Sequence, residues 1–165
     1  MRDFGASMSP MNAFLILQGI ETLPLRMDRH LSNTRVLLDY LANHKQVSWV
    51  NHPDLPSHTS HELAKKYLPL GAGSIISFGV KGGRDAGKAF IENLQLASHL
   101  ANVGDAKTLV IHPATTTHSR IDADALVAAG ITEDMVRLSV GLENVADIKA
   151  DFENGFRAAR KLAGM

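Results

Sequence analysis

The sequence contains no cysteine among its 165 residues. That absence excludes disulfides, thiolate metal sites and a cysteine nucleophile, and it leaves the redox compartment undetermined. Net charge is also absent, because 17 basic residues balance 17 acidic ones. The chain therefore lacks the overall positive charge of a simple nucleic-acid or polybasic membrane binder. Aromatic residues make up only 5%, which is little for a platform that stacks single-stranded bases. We expect neither a nucleic-acid nor a membrane partner.

Long apolar runs are missing as well. The most apolar stretch, residues 13–17, is too short to span a bilayer. Residues 1–5 contain no apolar segment of the kind found in signal peptides, so we expect none and predict a cytoplasmic protein. The remaining composition, 45% hydrophobic and 21% charged residues, is typical of a globular protein. The length allows one domain with a real core.

The first third of the chain, residues 10–44, has a helical pattern. Ser9 and Pro10 are a favourable cap and first residue of a helix. Residues 11–20 are apolar almost all round, which indicates burial on every side. Since so short a chain has few elements to cover such a helix, we expect it to lie against a surface outside the chain. Pro24 predicts a kink or restart. An amphipathic stripe follows, formed by Met27, Leu31, Leu38 and Leu41.

The rest of the chain alternates short strands and helices. Apolar alternation and turn residues predict strands at 47–50, 74–80 and 135–140, and extended segments around a loop at Gly104 between residues 95 and 111. Caps and periodicity predict helices at 61–67, 84–94, 122–129 and 145–162. The sum is an α+β fold with an α/β-like two-layer arrangement, in which a small sheet is covered by helices behind a long leading helix.

Residues 82–89, GGRDAGKA, fit the G-x-x-x-x-G-K spacing of a phosphate-binding loop. Such a loop needs Ser or Thr after the lysine as a magnesium ligand, and Ala89 has no oxygen there. Asp85 would also place a negative charge beside the phosphates. We interpret the segment as a glycine turn and an amphipathic helix with Lys88 on its solvent side, and we retain a nucleotide binder only as an alternative.

Several histidines lie close enough in sequence to suggest a metal site, but they do not supply a complete set of ligands. His58 and His61 lie beside Glu62, with His52 nearby, while His112 and His118 bracket a Thr-rich loop at 113–119. Zinc needs three or four converging ligands, and no HExxH spacing occurs. We interpret all of them as surface or loop residues and predict no metal. A structural role in the loop is favoured for His112 and His118.

Arg137 lies in the middle of the predicted strand 135–140. The alternation places Val136, Leu138 and Val140 on one face, and Met135, Arg137 and Ser139 on the other. If the second face lines a cleft, the forked guanidinium suits a substrate carboxylate. If that face is open to water, Arg137 is an ordinary surface residue, and the residues alone favour this second interpretation.

Several ordered segments together resemble the Cys/Met-metabolism enzymes that depend on pyridoxal phosphate. They are residues 9–23 (SPMNAFLILQGIETL), 25–30 (LRMDRH), 47–55 (VSWVNHPDL), 98–114 (SHLANVGDAKTLVIHPA), 117–118 (TH) and 136–143 (VRLSVGLE). The ANVGDAK wording is most similar to the O-acetylhomoserine sulfhydrylase branch of that family. The resemblance covers essentially the whole chain, but only the C-terminal part of such an enzyme.

The resemblance implies the C-terminal small domain of a fold type I pyridoxal-phosphate enzyme, with a spine helix over residues 1–44 and the small domain over 45–165. We find no segment similar to the large cofactor-binding domain. The eight lysines, at 45, 65, 66, 81, 88, 107, 149 and 161, all match positions of the small domain or its leading helix. We therefore expect pyridoxal phosphate in the full-length enzyme, no covalent attachment to this chain, and no activity of the chain alone.

Four substrate-binding residues follow from the resemblance: Arg137 for the amino-acid carboxylate, Thr108 at a position usually held by Ser, Thr117, and Asn102 in a loop facing the cofactor pocket. The implied substrates are O-acetyl-L-homoserine and sulfide, with homocysteine and acetate as products. A homo-oligomer, or a partnership with the cofactor domain, is also implied. Alternatives are the same domain of a methionine γ-lyase or cystathionine γ-synthase, and a non-catalytic module that dimerises through the spine helix.

Overall fold

A computed structural model describes residues 7–164 of the chain, without the side chain of Ala123. The N-terminal residues on which the signal-peptide expectation depends lie outside this range. Within it are six α-helices and five strands. The helices are α1 (Pro10–Glu21), α2 (Leu23–Ala42), α3 (His61–Tyr67), α4 (Gly83–Glu92), α5 (Ala123–Ala128) and α6 (Val145–Leu162). The strands are β1 (Val47–Asn51), β2 (Ile75–Val80), β3 (Ser98–His99), β4 (Leu109–Ile111) and β5 (Met135–Ser139), and a 3-10 turn spans Pro113–Thr115.

The leading helical segment divides into α1 and α2 at Thr22. Ser9 caps α1, since its hydroxyl oxygen accepts a hydrogen bond from the Asn12 amide at 3.2 Å. Pro24 stands in the first turn of α2, where its missing N–H costs no helical hydrogen bond. The predicted restart near this proline is thereby confirmed.

The sheet has the order β1-β2-β5-β4-β3. Every neighbouring pair is antiparallel except β3 and β4, which run parallel. Short antiparallel strands with helices packed against them form the predicted α+β fold, and this prediction is confirmed. β3 has only two residues and β4 three, so the 95–111 segment is mostly loop, with much less strand than its sequence pattern suggests.

The main core lies between one face of the sheet and helices α2, α4 and α6. Val136, Leu138 and Val140 are fully buried there, as their alternation predicts. Four phenylalanines from β2, α4 and α6 complete this layer, with several ring pairs tilted or edge-on. They are Phe78, Phe90, Phe152 and Phe156. Because the helices pack on this face of the sheet, Arg137 lies on the opposite face of β5.

Helix α1 has no buried residue. Phe14 and Leu17 are 55% and 57% exposed, and Met11, Leu15, Ile16 and Ile20 are exposed as well. An open concavity of about 490 Å³ lies at the N-terminal half of this helix, lined by Ser7, Met8, Asn12, Leu15 and Ile16. That a surface outside the chain covers α1 stays a prediction. Across residues 7–164, each helix is too short or too polar to cross a membrane.

Candidate functional site

Strand register gathers polar side chains on the sheet face opposite the main core. Ser77 of β2 and Ile111 of β4 lie directly opposite Arg137 on its two sides. Ser139, two residues further along β5, lies between Ile75 and Leu109 in the same way. Directly opposed residues share a face, so these side chains form one surface, which we call the Arg137 face. Its middle combines a guanidinium with the Ser77 and Ser139 hydroxyls.

Arg137 is half-buried at the centre of this face. Its Nη2 lies 3.5 Å from the main-chain carbonyl oxygen of Asn102, a long contact that leaves most donors of the guanidinium unused. In the described part of the chain, none of the ion pairs involves Arg137. A guanidinium presented in this way can bind a carboxylate through two parallel hydrogen bonds.

Asn102 belongs to the loop between β3 and β4, residues 100–107, which we call the 100–107 loop. The Asn102 side-chain oxygen accepts from the Val103 amide at 2.8 Å. Asp105 accepts from the Lys107 amide at 3.0 Å. Gly104 has a φ of 71°, a left-handed conformation that glycine adopts without strain. Local turns therefore shape the loop, and they direct the Asn102 carbonyl, rather than its side chain, toward Arg137.

Thr108 lies at the end of this loop and is fully buried. Its hydroxyl donates to Glu143 Oε2 at 2.8 Å and accepts from the Gly141 amide at 3.0 Å. Its own amide donates to Glu143 Oε1 at 2.7 Å. The Thr108 hydroxyl donates its one hydrogen bond to Glu143, so it cannot also donate one to a substrate carboxylate. It can still support the site from behind.

The segment after β5, residues 140–143, is held by helix α2. His30 Nδ1 lies 2.6 Å from the Val140 carbonyl oxygen. Asn33 Nδ2 donates to the carbonyls of Gly141 and Glu143 at 3.0 and 2.9 Å. Both His30 and Asn33 are buried, so this segment is fixed to α2 by hydrogen bonds shielded from water.

Thr117 and the two loop histidines occupy other positions. Thr117 is exposed, and its hydroxyl lies 2.8 Å from His118 Nδ1. His112 is buried between the Glu133 carbonyl oxygen, 2.8 Å from its Nε2, and the Thr115 hydroxyl, 2.9 Å from its Nδ1. The structural role favoured for His112 agrees with these contacts. Among the hydrogen bonds of residues 7–164, none joins Thr117 to Arg137.

The two remaining sequence candidates are the phosphate-loop motif and the histidine cluster, in which His52 is buried in a loop rather than on the surface. Lys88 is exposed on α4, 3.8 Å from Glu92 one turn later, which suits a solvated helix better than a phosphate site. Over residues 7–164, no three His, Cys, Asp or Glu side chains are grouped to hold a metal ion.

Sequence reasoning missed the residues that hold the site together. Glu143, Gly141 and Asn33 were assigned no role by pattern or resemblance. Glu143 and Gly141 do lie in the segment VRLSVGLE (136–143), but their partner Thr108 is more than thirty residues away in the chain. Only the β4–β5 pairing brings these groups together, and no local signal reveals it.

Comparison with known proteins relates the whole architecture to one family. Residues 1–157 match the family described as Cys/Met metabolism PLP-dependent enzyme. The chain is 51% identical over 159 residues to the homocysteine synthase of Schizosaccharomyces pombe, covering 96% of the chain and 37% of that protein. It is 50% identical over 153 residues to O-acetyl-L-homoserine sulfhydrylase 1 of Thermus thermophilus, covering 93% of the chain and 36% of that protein.

A solved structure gives the same relationship. It is that of a Campylobacter jejuni protein assigned as an O-acetylhomoserine (thiol)-lyase, which carries N'-pyridoxyl-lysine-5'-monophosphate. The superposition has a TM-score of 0.85 at 41% identity, over 94% of this chain and 37% of the other. The chain thus spans little more than a third of the length of the relatives it matches.

Proposed function

Because the chain belongs to the Cys/Met metabolism PLP-dependent enzymes, we propose that it is the substrate-carboxylate domain of an O-acetylhomoserine sulfhydrylase. Its relatives at about half identity include a homocysteine synthase and an O-acetyl-L-homoserine sulfhydrylase. The observation that carries the proposal is the Arg137 face, a half-buried guanidinium whose hydrogen-bond donors are largely unused. The reaction proposed for the complete enzyme converts O-acetyl-L-homoserine and sulfide to homocysteine and acetate.

Arg137 binds the α-carboxylate of the amino-acid substrate in this proposal. Two parallel N–H···O bonds fix both the position and the orientation of the carboxylate plane. The Asn102 carbonyl of the 100–107 loop lies 3.5 Å from Nη2 and contacts it from one side. Thr108 acts from the second layer, because its hydroxyl is bonded to Glu143 and Gly141. For Thr117, which is exposed and bonded to His118, a part in substrate binding rests on the resemblance alone.

The residues of the Arg137 face suit the amino-acid end of the substrate rather than covalent attachment of the cofactor. Ser77, Ser139 and Arg137 are its polar members, and the face includes no lysine. The Ser139 hydroxyl is buried and has no hydrogen-bond partner among the described residues. Pyridoxal phosphate, when bound, supplies the electron sink that allows acetate to leave the substrate. Within this proposal the group is held by protein outside this chain, and Arg137 only orients the substrate beside it.

The apolar face of α1 supports a second part of the proposal. We place the remaining part of the enzyme against Phe14, Leu17 and their neighbours, with residues 1–44 as the spine and 45–165 as the small domain. Exposed apolar surface of this extent marks an interaction site in proteins generally. A homo-oligomer is the other arrangement that would cover the same helix.

The experiment is a chimera in which this chain replaces the matching segment of the Thermus thermophilus sulfhydrylase. The chimera is assayed with O-acetyl-L-homoserine and either sulfide or cysteine, and the chain alone is the control. We expect homocysteine with sulfide, little cystathionine with cysteine, and no product from the chain alone. A chimera that unfolds cooperatively and binds pyridoxal phosphate, yet forms no homocysteine, would contradict the proposal. Preferential cystathionine formation would instead assign the domain to a cystathionine γ-synthase.

A further inference from the structure

We propose that Glu143 is a positioning residue. Its carboxylate fixes the 100–107 loop and thereby the orientation of the Arg137 guanidinium. The proposal rests on the function assigned to Arg137 above, because it names what holds that guanidinium in place. Glu143 touches Thr108 rather than the surface that would meet substrate.

Both oxygens of the Glu143 carboxylate are used on one residue. Oε1 accepts from the Thr108 amide at 2.7 Å and Oε2 from the Thr108 hydroxyl at 2.8 Å. Hydrogen bonds to an ionised acceptor are short and about twice as strong as neutral ones. Glu143 is also only partly exposed, so solvent screens these bonds less than on an open surface. The carboxylate therefore forms a two-point clamp on Thr108.

The clamp sits where the 100–107 loop enters the sheet. Thr108 directly precedes β4, and its carbonyl oxygen accepts from the Ser98 amide of β3 at 2.9 Å. One residue before Glu143, the Leu142 amide donates to the Ala106 carbonyl at 2.9 Å. Segment 140–143 thus holds the C-terminal end of the loop at two neighbouring points. Because the same loop carries the Asn102 carbonyl, which lies 3.5 Å from Arg137 Nη2, we infer that a shift of Thr108 reaches the guanidinium through this contact.

The surroundings of the clamp leave it little freedom. A Cβ atom at Gly141 would collide with Glu143 Oε2 and with the Thr108 amide nitrogen, so only glycine allows the carboxylate to approach. On the other side, Asn33 and Arg29 donate to the Glu143 carbonyl at 2.9 and 3.4 Å. Main chain and side chain of Glu143 are both fixed, which distinguishes the clamp from a casual surface contact.

The first test uses the chain itself and measures amide hydrogen exchange by NMR. In Glu143→Gln one of the two acceptor oxygens becomes an NH2 donor and the negative charge is lost, so the amide and the hydroxyl of Thr108 no longer each face an acceptor oxygen. We expect exchange at the Thr108 amide to accelerate roughly tenfold, while amides within α6 stay protected. Glu62→Gln, at an exposed glutamate paired with Lys65, is the matched control. Unchanged protection at Thr108 in Glu143→Gln would overturn the proposal.

The second test uses the chimeric holoenzyme described above. Loss of a substrate contact made equally in ground and transition states raises KM and leaves kcat unchanged, so we expect Glu143→Gln to raise KM for O-acetyl-L-homoserine roughly tenfold. Glu62→Gln is the control here as well and should retain the KM. Thr108→Val removes the Thr108 hydroxyl, should raise KM, and should be non-additive with Glu143→Gln. A fall in melting temperature and kcat at constant KM would assign Glu143 a merely structural role and overturn the proposal.

The outcomes also separate this inference from the proposed function. If Arg137→Ala raises KM and Glu143→Gln does not, the positioning role is wrong and the carboxylate site stands. If neither variant changes KM, the carboxylate site itself fails. The exchange measurement does not depend on catalysis, so it decides whether the clamp exists in either case.

Discussion

Arg137 and the side chains behind it have different tasks. Arg137 presents its positive charge on the open face of the sheet. Thr108, Glu143 and Asn33 instead form hydrogen bonds with one another and with the main chain. A buried polar group left unpaired costs about 1–3 kcal/mol, so such internal pairing is the expected state of these groups. The same reasoning explains His112, which is buried with a partner at each ring nitrogen.

His112 makes stability depend on pH. Burial lowers the pKa of His112 below its ordinary value of 6.5; the hydrogen bond to the Glu133 carbonyl opposes this, the Arg84 charge adds to it, and the Glu133 and Asp134 charges oppose it. The Glu133 carbonyl can only accept, so Nε2 carries the proton of a neutral ring and Nδ1 accepts from Thr115. The neutral form is therefore the one that the fold stabilises.

The unfolded chain consequently binds more protons than the folded chain as pH falls below about 6.5. The contribution of His112 is fully present above that pH and is lost as the pH falls toward the depressed folded value. We expect the free energy of unfolding, measured with urea, to fall between about pH 7.5 and pH 5.5. The lowered pKa values of His44 and His52, both from burial, act in the same direction.

His112→Gln isolates the contribution of this one histidine. The variant should be less stable at neutral pH by roughly 1–3 kcal/mol, because the Glu133 carbonyl and Thr115 hydroxyl lose a well-placed partner. Its stability should also fall less steeply with acidification. A slope equal to that of the wild-type chain would show that His112 does not titrate as described.

Helices α4 and α6 approach each other at Gly155. A Cβ atom there would lie 2.7 Å from Phe90 Cδ2 and 2.8 Å from the Phe90 carbonyl oxygen. The carbonyl is main chain and cannot turn aside, so a methyl group must push the helices apart. Helix α1 offers the opposite case, because nothing lies within 4 Å of a Cβ built on Gly19.

Gly155→Ala should reduce the free energy of unfolding by about 1–3 kcal/mol through overpacking, although alanine is the better helix former by nearly 1 kcal/mol. Gly19→Ala is the matched control, since it gains helix propensity without a collision. Urea unfolding of both variants gives the comparison. A Gly155→Ala chain as stable as the Gly19→Ala chain would mean that the two helices are not in the contact described.

Elements with strong local signals were predicted well from sequence. Helix α6 has the predicted bounds, 145–162, because Asn144 caps it by accepting from the Ala146 amide at 3.0 Å. β3 and β4 could not be delimited, because their length depends on pairing with distant residues rather than on their own pattern. β4 ends where the chain turns at Pro113, and β3 pairs with it through only two residues.

At the scale of the whole molecule, the strand pattern allows Arg137 to be either a surface residue or a carboxylate-binding residue. The resemblance to the family favours the second. The structure adds the register that places it beside Ser77 and Ile111, and the loop contact with Asn102. What sequence could not supply is the clamp of Glu143 on Thr108, which joins segments far apart in the chain. The exposed apolar α1 was predicted, because a helix apolar all round cannot be covered by so few elements.

The central claim is that Arg137 binds the carboxylate of the substrate, and one measurement tests it most directly. In the chimeric holoenzyme, KM for O-acetyl-L-homoserine is compared between the wild-type chain and Arg137→Ala, with circular dichroism as the check on folding. Loss of a close charged pair costs about 2–5 kcal/mol, so we predict a KM at least roughly 30-fold higher. A folded Arg137→Ala enzyme with an unchanged KM would contradict the claim.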